Sequence, residues 1–235
     1  RTNTRIYCGI IADNTYLYLG TDNGILVYNY RTDKYEQPDT DFPTDVRTMV
    51  LQGDTLWIGS LNGLYTYQLK SRQLNHFDSK QTGLPHNTIY SIIHTKDNQI
   101  YIGTYNGLCR YVQASGKFEN ILLPVNRGGS NLFVNSLLED TTRQCIWIGM
   151  EGYLFQYNPT IGEMKAIEVF HNNSIKSLAL DGDENLLAGT DNGLYVYQND
   201  KEPLQHIIHD SRNIQLLTNN IIWNIFSDQE HNSWL

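Results

Sequence analysis

The chain has 235 residues, 40% hydrophobic and 11% aromatic, long enough to bury roughly 70% of its unfolded surface in one core. A net charge of −8 and a pI near 5.3, with 17 Lys and Arg in no cluster, argue against nucleic acid, which needs a basic footprint. No apolar run approaches the roughly 18 residues of a membrane-spanning helix, and Cys8, Cys109 and Cys145 have no paired spacing, so they read as buried free thiols.

Near the N-terminus, Tyr7-Cys8-Gly9-Ile10-Ile11 is apolar or small, and after a polar turn the chain reads LGTDNGILVY from Leu19 to Tyr28. The phrase returns as IGSLNGLYTY (Ile58 to Tyr67), IGTYNGLCRY (Ile102 to Tyr111), IGMEGYLFQY (Ile148 to Tyr157) and AGTDNGLYVY (Ala188 to Tyr197). Its leading glycines, Gly20, Gly59, Gly103, Gly149 and Gly189, lie 39, 44, 46 and 40 residues apart. Strand-like units at a period of about 40–50 residues are the mark of β-propeller blades.

Each unit predicts four strands. The first strands are Tyr7 to Ile11, Val46 to Val50, Ile89 to Ile93, Val134 to Leu138, Ile175 to Ala179 and Ile222 to Phe226. Polar turns follow, such as Lys96 to Gln99 and Asp181 to Asn185, and then short apolar second strands such as Leu56-Trp57-Ile58. An Asn-Gly or Glu-Gly turn leads into the third strand, and Asn-Gly between apolar runs signals a hairpin because both residues tolerate positive φ. Weaker fourth strands fall at Gln73 to Phe77, Lys117 to Asn120 and Pro203 to Ile208. No segment sustains a helical period, so the class is all-β.

The first strands are apolar or small on both faces, as a sheet between two neighbouring blades requires. Their middle residues, Gly9, Thr48, Ser91, Ser136, Ser177 and Asn224, suit the crowding near a propeller axis. The repeated Tyr28, Tyr67, Tyr111, Tyr157 and Tyr197 are expected to pack blade on blade with a hydroxyl to satisfy. At Ser233-Trp234-Leu235 the pattern of Trp57-Ile58-Gly59 would next place a glycine. Residues 1–235 thus read as one propeller domain, truncated within a repeat. It holds five complete repeats and the inner strand of a sixth, within a larger ring.

The unit, a polar turn followed by Leu/Ile-Trp/Tyr-Ile-Gly-Thr/Ser-x-x-Gly-Leu-x-x-Tyr, resembles the two-component regulator propeller repeat. The match is clear from Asp97 to Tyr111 and from Leu56 to Tyr67, and Gly83-Leu84-Pro85-His86-Asn87 is similar to the family's linker. Two units depart from it. The fourth has Met150-Glu151-Gly152-Tyr153, one residue short, and the fifth has Leu187-Ala188 for Trp-Ile. The resemblance spans essentially the whole chain. It implies seven-bladed rings in the periplasmic sensor region of a hybrid histidine kinase and response regulator of gut-type Bacteroidetes, anchored in the inner membrane. It further implies an oligosaccharide ligand, a homodimer in the full-length sensor, and as partners the remaining blades and signalling domains. For this segment it implies no catalysis and no cofactor.

Antiparallel strand order puts the second-to-third turns and the linkers between blades on one face. Positions there that differ between repeats are the specificity candidates. One slot, the second residue of the first strand, holds Arg47, Tyr90, Asn135, Lys176 and Trp223. Another, in the turn, holds Asp22, Leu61, Tyr105, Glu151 and Asp191, and the linkers add His86 and Arg127. Aromatic platforms ringed by amides and charges suit an oligosaccharide. The same residues also fit solvated or turn-paired cations and rings packed between blades.

Two other classes stay open. A protein-interaction scaffold would use the same variable face. A glycoside-active enzyme needs two carboxylates about 5–10 Å apart, and Asp22, Glu151 and Asp191 lie on that face, although Asp-Asn-Gly is also ordinary turn chemistry. No metal is expected: Asp181, Asp183 and Glu184 lack EF-hand spacing, and on a strand His206 and His209 point to opposite faces.

Overall fold

The computed structural model describes residues 4–235 except 37, 39, 126–131, 168–169, 171–172, 199–200, 213–216, 229 and 231, with only the backbone of 201–204. The Cα positions fall into two units, Arg1–Leu132 and Phe133–Leu235. The first unit holds three four-stranded antiparallel blades. These are β1–β4 (Ile6–Ala12, Tyr16–Thr21, Gly24–Asn29, Lys34–Glu36), β5–β8 (Val46–Gln52, Thr55–Ser60, Gly63–Gln68, Leu74–Phe77) and β9–β12 (Ile89–His94, Ile100–Thr104, Gly107–Val112, Lys117–Ile121). The second unit holds two more, β13–β16 (Val134–Asp140, Cys145–Met150, Leu154–Asn158, Glu163–Ile167) and β17–β20 (Ile175–Leu180, Leu186–Thr190, Gly193–Gln198, Lys201–Ile207). A two-stranded piece follows, β21 (Phe226–Ser227) with β22 (Ser233–Trp234). The chain is thus all-β, five complete propeller blades and the start of a sixth.

The turn between second and third strands is built by a hydroxyl. Thr21, Ser60, Thr104 and Thr190 each donate to the carbonyl of the glycine three residues on, at 2.8–3.0 Å. Each also accepts from the amide of the asparagine two residues on, at 3.0–3.1 Å. Of the Asn-Gly pairs only the glycine takes positive φ, from 99° at Gly193 to 148° at Gly63. The expected two-positive-φ turn is therefore corrected. The loop is the pair before the glycine, such as Asp22-Asn23, and the glycine opens the third strand opposite the Ser or Thr. Met150 occupies the hydroxyl's slot in the fourth blade, where Met150 N closes the turn on Tyr153 O instead.

The leading glycines are docking points. A Cβ on Gly59, Gly149 or Gly189 would lie 2.6 Å from Cγ2 of Ile89, Ile175 or Ile222, and one on Gly20 would lie 2.7 Å from Val46 Cγ1. Each glycine thus receives the β-branched residue that opens the next blade. Further out, the repeated tyrosine of one blade meets the middle-strand aromatic of the blade before. Tyr111 packs edge-on against Trp57 at 4.8 Å, and Tyr197 against Trp147 at 5.6 Å. Tyr67 shares a core with Tyr18 in the same way. The indoles are satisfied inside their own blades, Trp57 on Gln52 and Trp147 on the fully buried Asp140.

Three further expectations change. The first unit aligns one residue earlier than its composition suggests: Ile6 pairs with Thr21 and Cys8 with Gly20, so Cys8 rather than Gly9 holds the middle slot. Ile222 to Phe226 forms ladder only from Phe226; before it, the Ile222 amide bonds Thr190 O and the Ile225 amide bonds Ser177 Oγ, so the fifth blade takes its donors. One helical turn, α1 (Ser79–Thr82), interrupts a linker, capped by Asp78 and closed by Gly83 at φ 84°. The cysteines are free, Cys109 and Cys145 buried and Cys8 half-buried.

Candidate functional site

Every complete blade carries an irregularity at the start of its inner strand. Pairing skips one residue between Ile6 and Cys8, Val46 and Thr48, Ile89 and Ser91, Val134 and Ser136, and Ile175 and Ser177. The skipped residues are Tyr7, Arg47, Tyr90, Asn135 and Lys176. A bulge frees a residue from the strict alternation of a strand and re-aims its side chain. The slot singled out by its variation is therefore also the slot released from the ladder. Tyr7 was hidden from sequence reasoning by the one-residue shift of the first unit; counting back from Gly20 through its partner recovers it.

In the first unit these residues form a row. The Arg47 guanidinium carbon lies 3.9 Å from the centre of the Tyr7 ring. Its Nη2 is 3.4 Å from Asp45, a half-exposed pair whose net contribution is below about 1 kcal/mol. Arg47 Nε is buried and has no hydrogen-bond partner. The Tyr90 phenol is raised by burial and by neighbouring Tyr105, and lowered in part by Arg47. His86 lies 4.9 Å from the Tyr105 ring and accepts the Thr88 amide on Nδ1. The Tyr105 amide bonds Thr88 O, tying the turn to the linker just before Tyr90. Arg47, Tyr90, Tyr105 and His86 thus come together, with Tyr7 and Asp45 as additions.

The second unit holds a separate group around Ser174, a residue the sequence did not single out. Its hydroxyl receives Asn135 Nδ2 at 3.3 Å and Lys176 Nζ at 3.1 Å, and its amide donates to Asp191 at 3.0 Å. Glu151 bridges to Ser174 through the backbone. Lys176 Nζ sits 5.5 Å over the Trp223 ring, a cation–π contact, and that ring is 72% exposed rather than packed between blades. Arg127 lies outside the described residues.

Two of the three turn carboxylates are tied to backbone, Asp22 accepting the Arg5 amide and Asp191 the Ser174 amide, while Glu151 is exposed. Asp181 caps its own turn through the amides of Asp183 and Asn185. His206 stacks on Tyr195 at 4.0 Å and contacts Asn192 O, while His209 contacts Leu217 O. Among the described residues no three His, Cys, Asp or Glu side chains are grouped to hold a metal.

The family model described as Two component regulator propeller matches residues 83–106. The chain is 78% identical to the extracellular domain of BT4673 from B. thetaiotaomicron, assigned as a hybrid two-component system. The match covers all of this chain and 32% of that one, with a TM-score of 0.97. The extracellular domain of BT3049 from the same organism, 21% identical with a TM-score of 0.75 over 94% of this chain and 30% of that one, shares the fold. Histidine kinase P4 of Formosa agariphila is 26% identical across 95% of this chain and 18% of its own length. The chain spans about a third of those extracellular domains and less of the kinase. Within residues 83–106 it matches the two-component regulator propeller repeat that its sequence resembles.

Proposed function

We propose that this chain is a ligand-sensing propeller segment of a hybrid two-component sensor, on the periplasmic side of the inner membrane. Its ligand is an oligosaccharide, bound on the face where turns and linkers meet. The observation carrying this reading is the bulge that lifts a different residue out of the ladder in each complete blade. In the first unit a guanidinium on a tyrosine and a half-buried phenol, and in the second an amide and an ammonium over an exposed indole, each give platforms and donors that suit sugar rings. The orphaned Arg47 Nε supports it, because a buried donor without a partner costs about 1–3 kcal/mol until something accepts from it. The histidine kinase activity, the homodimer and the inner-membrane anchor belong to the longer protein and are part of the same proposal. Bound ligand acts by its difference in affinity between two arrangements of that sensor.

The test is a thermal-shift screen of the protein against defined oligosaccharides. Ligand that binds only the folded state adds RT ln(1 + [L]/Kd), about 2.7 kcal/mol at a hundredfold excess over Kd. One glycan class should raise the midpoint, and Tyr90→Ala should remove the shift of a glycan held by the first unit, or Trp223→Ala that of one held by the second. Arg47→Met should abolish that shift while leaving the ligand-free midpoint unchanged or slightly higher, since it deletes an unsatisfied donor. No shift with any glycan would transfer the face to a protein partner.

A further inference from the structure

The first and second blades leave open a space that the second and third blades fill. Between the latter, Trp57 and Phe77 of one blade and Tyr111 and Phe118 of the next close a box, each ring 4.8–6.0 Å from its neighbours. One blade earlier the slots hold smaller residues. Tyr18 stands in the place of Trp57, counted from Gly20 and Gly59. Pro38 falls at the count of Phe77: it lies two residues past Glu36, the partner of Val27, as Phe77 lies two past Asn75, the partner of the equivalent Thr66. Leu74 faces Tyr67 where Phe118 faces Tyr111. The result is a pocket of about 140 Å³ whose wall includes Tyr16, Tyr18, Phe42 and Tyr67. Phe42, from the linker, packs edge-on against Tyr67 at 5.0 Å and replaces only part of the missing volume.

The pocket's size and lining narrow its occupant. A cavity of about 150 Å³ accepts a single benzene ring, so one six-membered ring fits. Of its aromatic lining Tyr18 and Tyr67 are buried and Tyr16 and Phe42 half-buried, whereas Asp13, Glu36 and Arg72 on the rim are exposed. Two carboxylates disfavour an anion, and the guanidinium disfavours a cation. A neutral ring with hydroxyls satisfies both, with its apolar face on a tyrosine and its hydroxyls shared between carboxylate and guanidinium. We infer that this pocket between the first and second blades binds a single neutral pyranose unit, at a site separate from the bulged residues of the proposed sensing face.

The test is saturation-transfer difference NMR of the full 235-residue chain with methyl gluco-, galacto- and mannopyranosides. At least one should receive saturation on its ring protons. The double variant Tyr18→Trp/Pro38→Phe, which copies the filled arrangement of the following blade pair, should remove that signal while its melting midpoint stays equal or rises. Tyr16→Ala, at the pocket wall, should weaken binding severalfold in a chain that still melts cooperatively. Repeating the comparison in the Arg47→Ala/Trp223→Ala double variant removes any contribution of the proposed sensing face, so failure of that face and failure of this pocket are read separately. No transfer to any of the three pyranosides, or equal transfer in the filled variant, would overturn the inference.

Discussion

Thr104 shows how much one hydroxyl organises. It is fully buried, donates to the buried Gly107 O at 2.9 Å and accepts the amide of exposed Asn106 at 3.1 Å, so one oxygen satisfies a carbonyl shielded from water and ties the turn to it. Replacing it with isosteric valine leaves both unpaired. The cost of a buried unsatisfied group is about 1–3 kcal/mol. Thr104→Val should therefore lower the urea midpoint by the equivalent of about 2 kcal/mol, and Thr104→Ser should recover most of it. Met150 in the fourth blade is the internal comparison: there the strand's own amide closes the turn, and Met150→Thr should gain little. Equal stability of Thr104→Val and the parent chain would show that the turn needs only its glycine.

Elements repeat because each must fit its neighbour, and that fit decides what was legible. The glycines and tyrosines were readable as a repeat because the adjoining blade constrains them, as Gly59 meets Ile89 and Tyr111 meets Trp57. Adding a methyl at Gly59 drives it against Ile89 and against Thr48 Cγ2, both at 2.6 Å. Overpacking of this kind costs about 1–3 kcal/mol, so Gly59→Ala should destabilise by that amount. Pairing it with Ile89→Val, which keeps Cγ2 but shortens the side chain, should not rescue it, whereas Ile89→Ala, which removes one of the two clashes, should cost less in the Gly59→Ala background than in the parent chain. The bulges were not legible. Alternation predicts that Arg47 and Tyr90 share the ladder, and only the pairing of Thr48 with Gly59 and Ser91 with Gly103 shows them skipped. Ser136 and Ser177 were read as small residues for a crowded place. They are small, but their hydroxyls also accept the amides of Leu178 and Ile225 in the adjoining inner segments. The candidate list came from variation alone, so it named Arg47, Tyr90, Asn135 and Lys176 but not Ser174, whose hydroxyl receives two of them. The orphaned Arg47 Nε was beyond reach, because no pattern of residue types states which donors lack acceptors.

Across the whole molecule, titration confines the fold to a broad middle range of pH. At the acid end stands Asp140. Burial raises its carboxyl, but the Trp147 indole, the Arg143 amide and the Arg143 guanidinium outweigh that and hold it below the usual range. Asp228 is drawn to about 2 by the Trp234 indole and the Asn232 amide. A carboxylate depressed in the folded state contributes stability that is complete above its unfolded value of about 3.9 and is lost as pH falls through the folded value. At the alkaline end, burial pushes the Cys8 thiol to about 12, and burial with neighbouring Tyr67 pushes the Tyr18 phenol to about 12. Groups raised in this way hold full stability below their unfolded values, about 8.5 for Cys and 10 for Tyr, and lose it as pH climbs toward the folded value. The urea midpoint should therefore be flat from about pH 5 to 8, fall below about pH 4, and fall again above about pH 9. Cys8→Ser should make the alkaline fall shallower without moving its onset, because the buried Cys109 thiol, raised in the same way, still loses its proton in the unfolded chain from about pH 8.5. Asp140→Asn should lower the plateau and blunt the acid fall together, since one side chain supplies both. An acid limb of unchanged steepness in Asp140→Asn would remove that carboxylate from the linkage and leave the fall to the exposed acids.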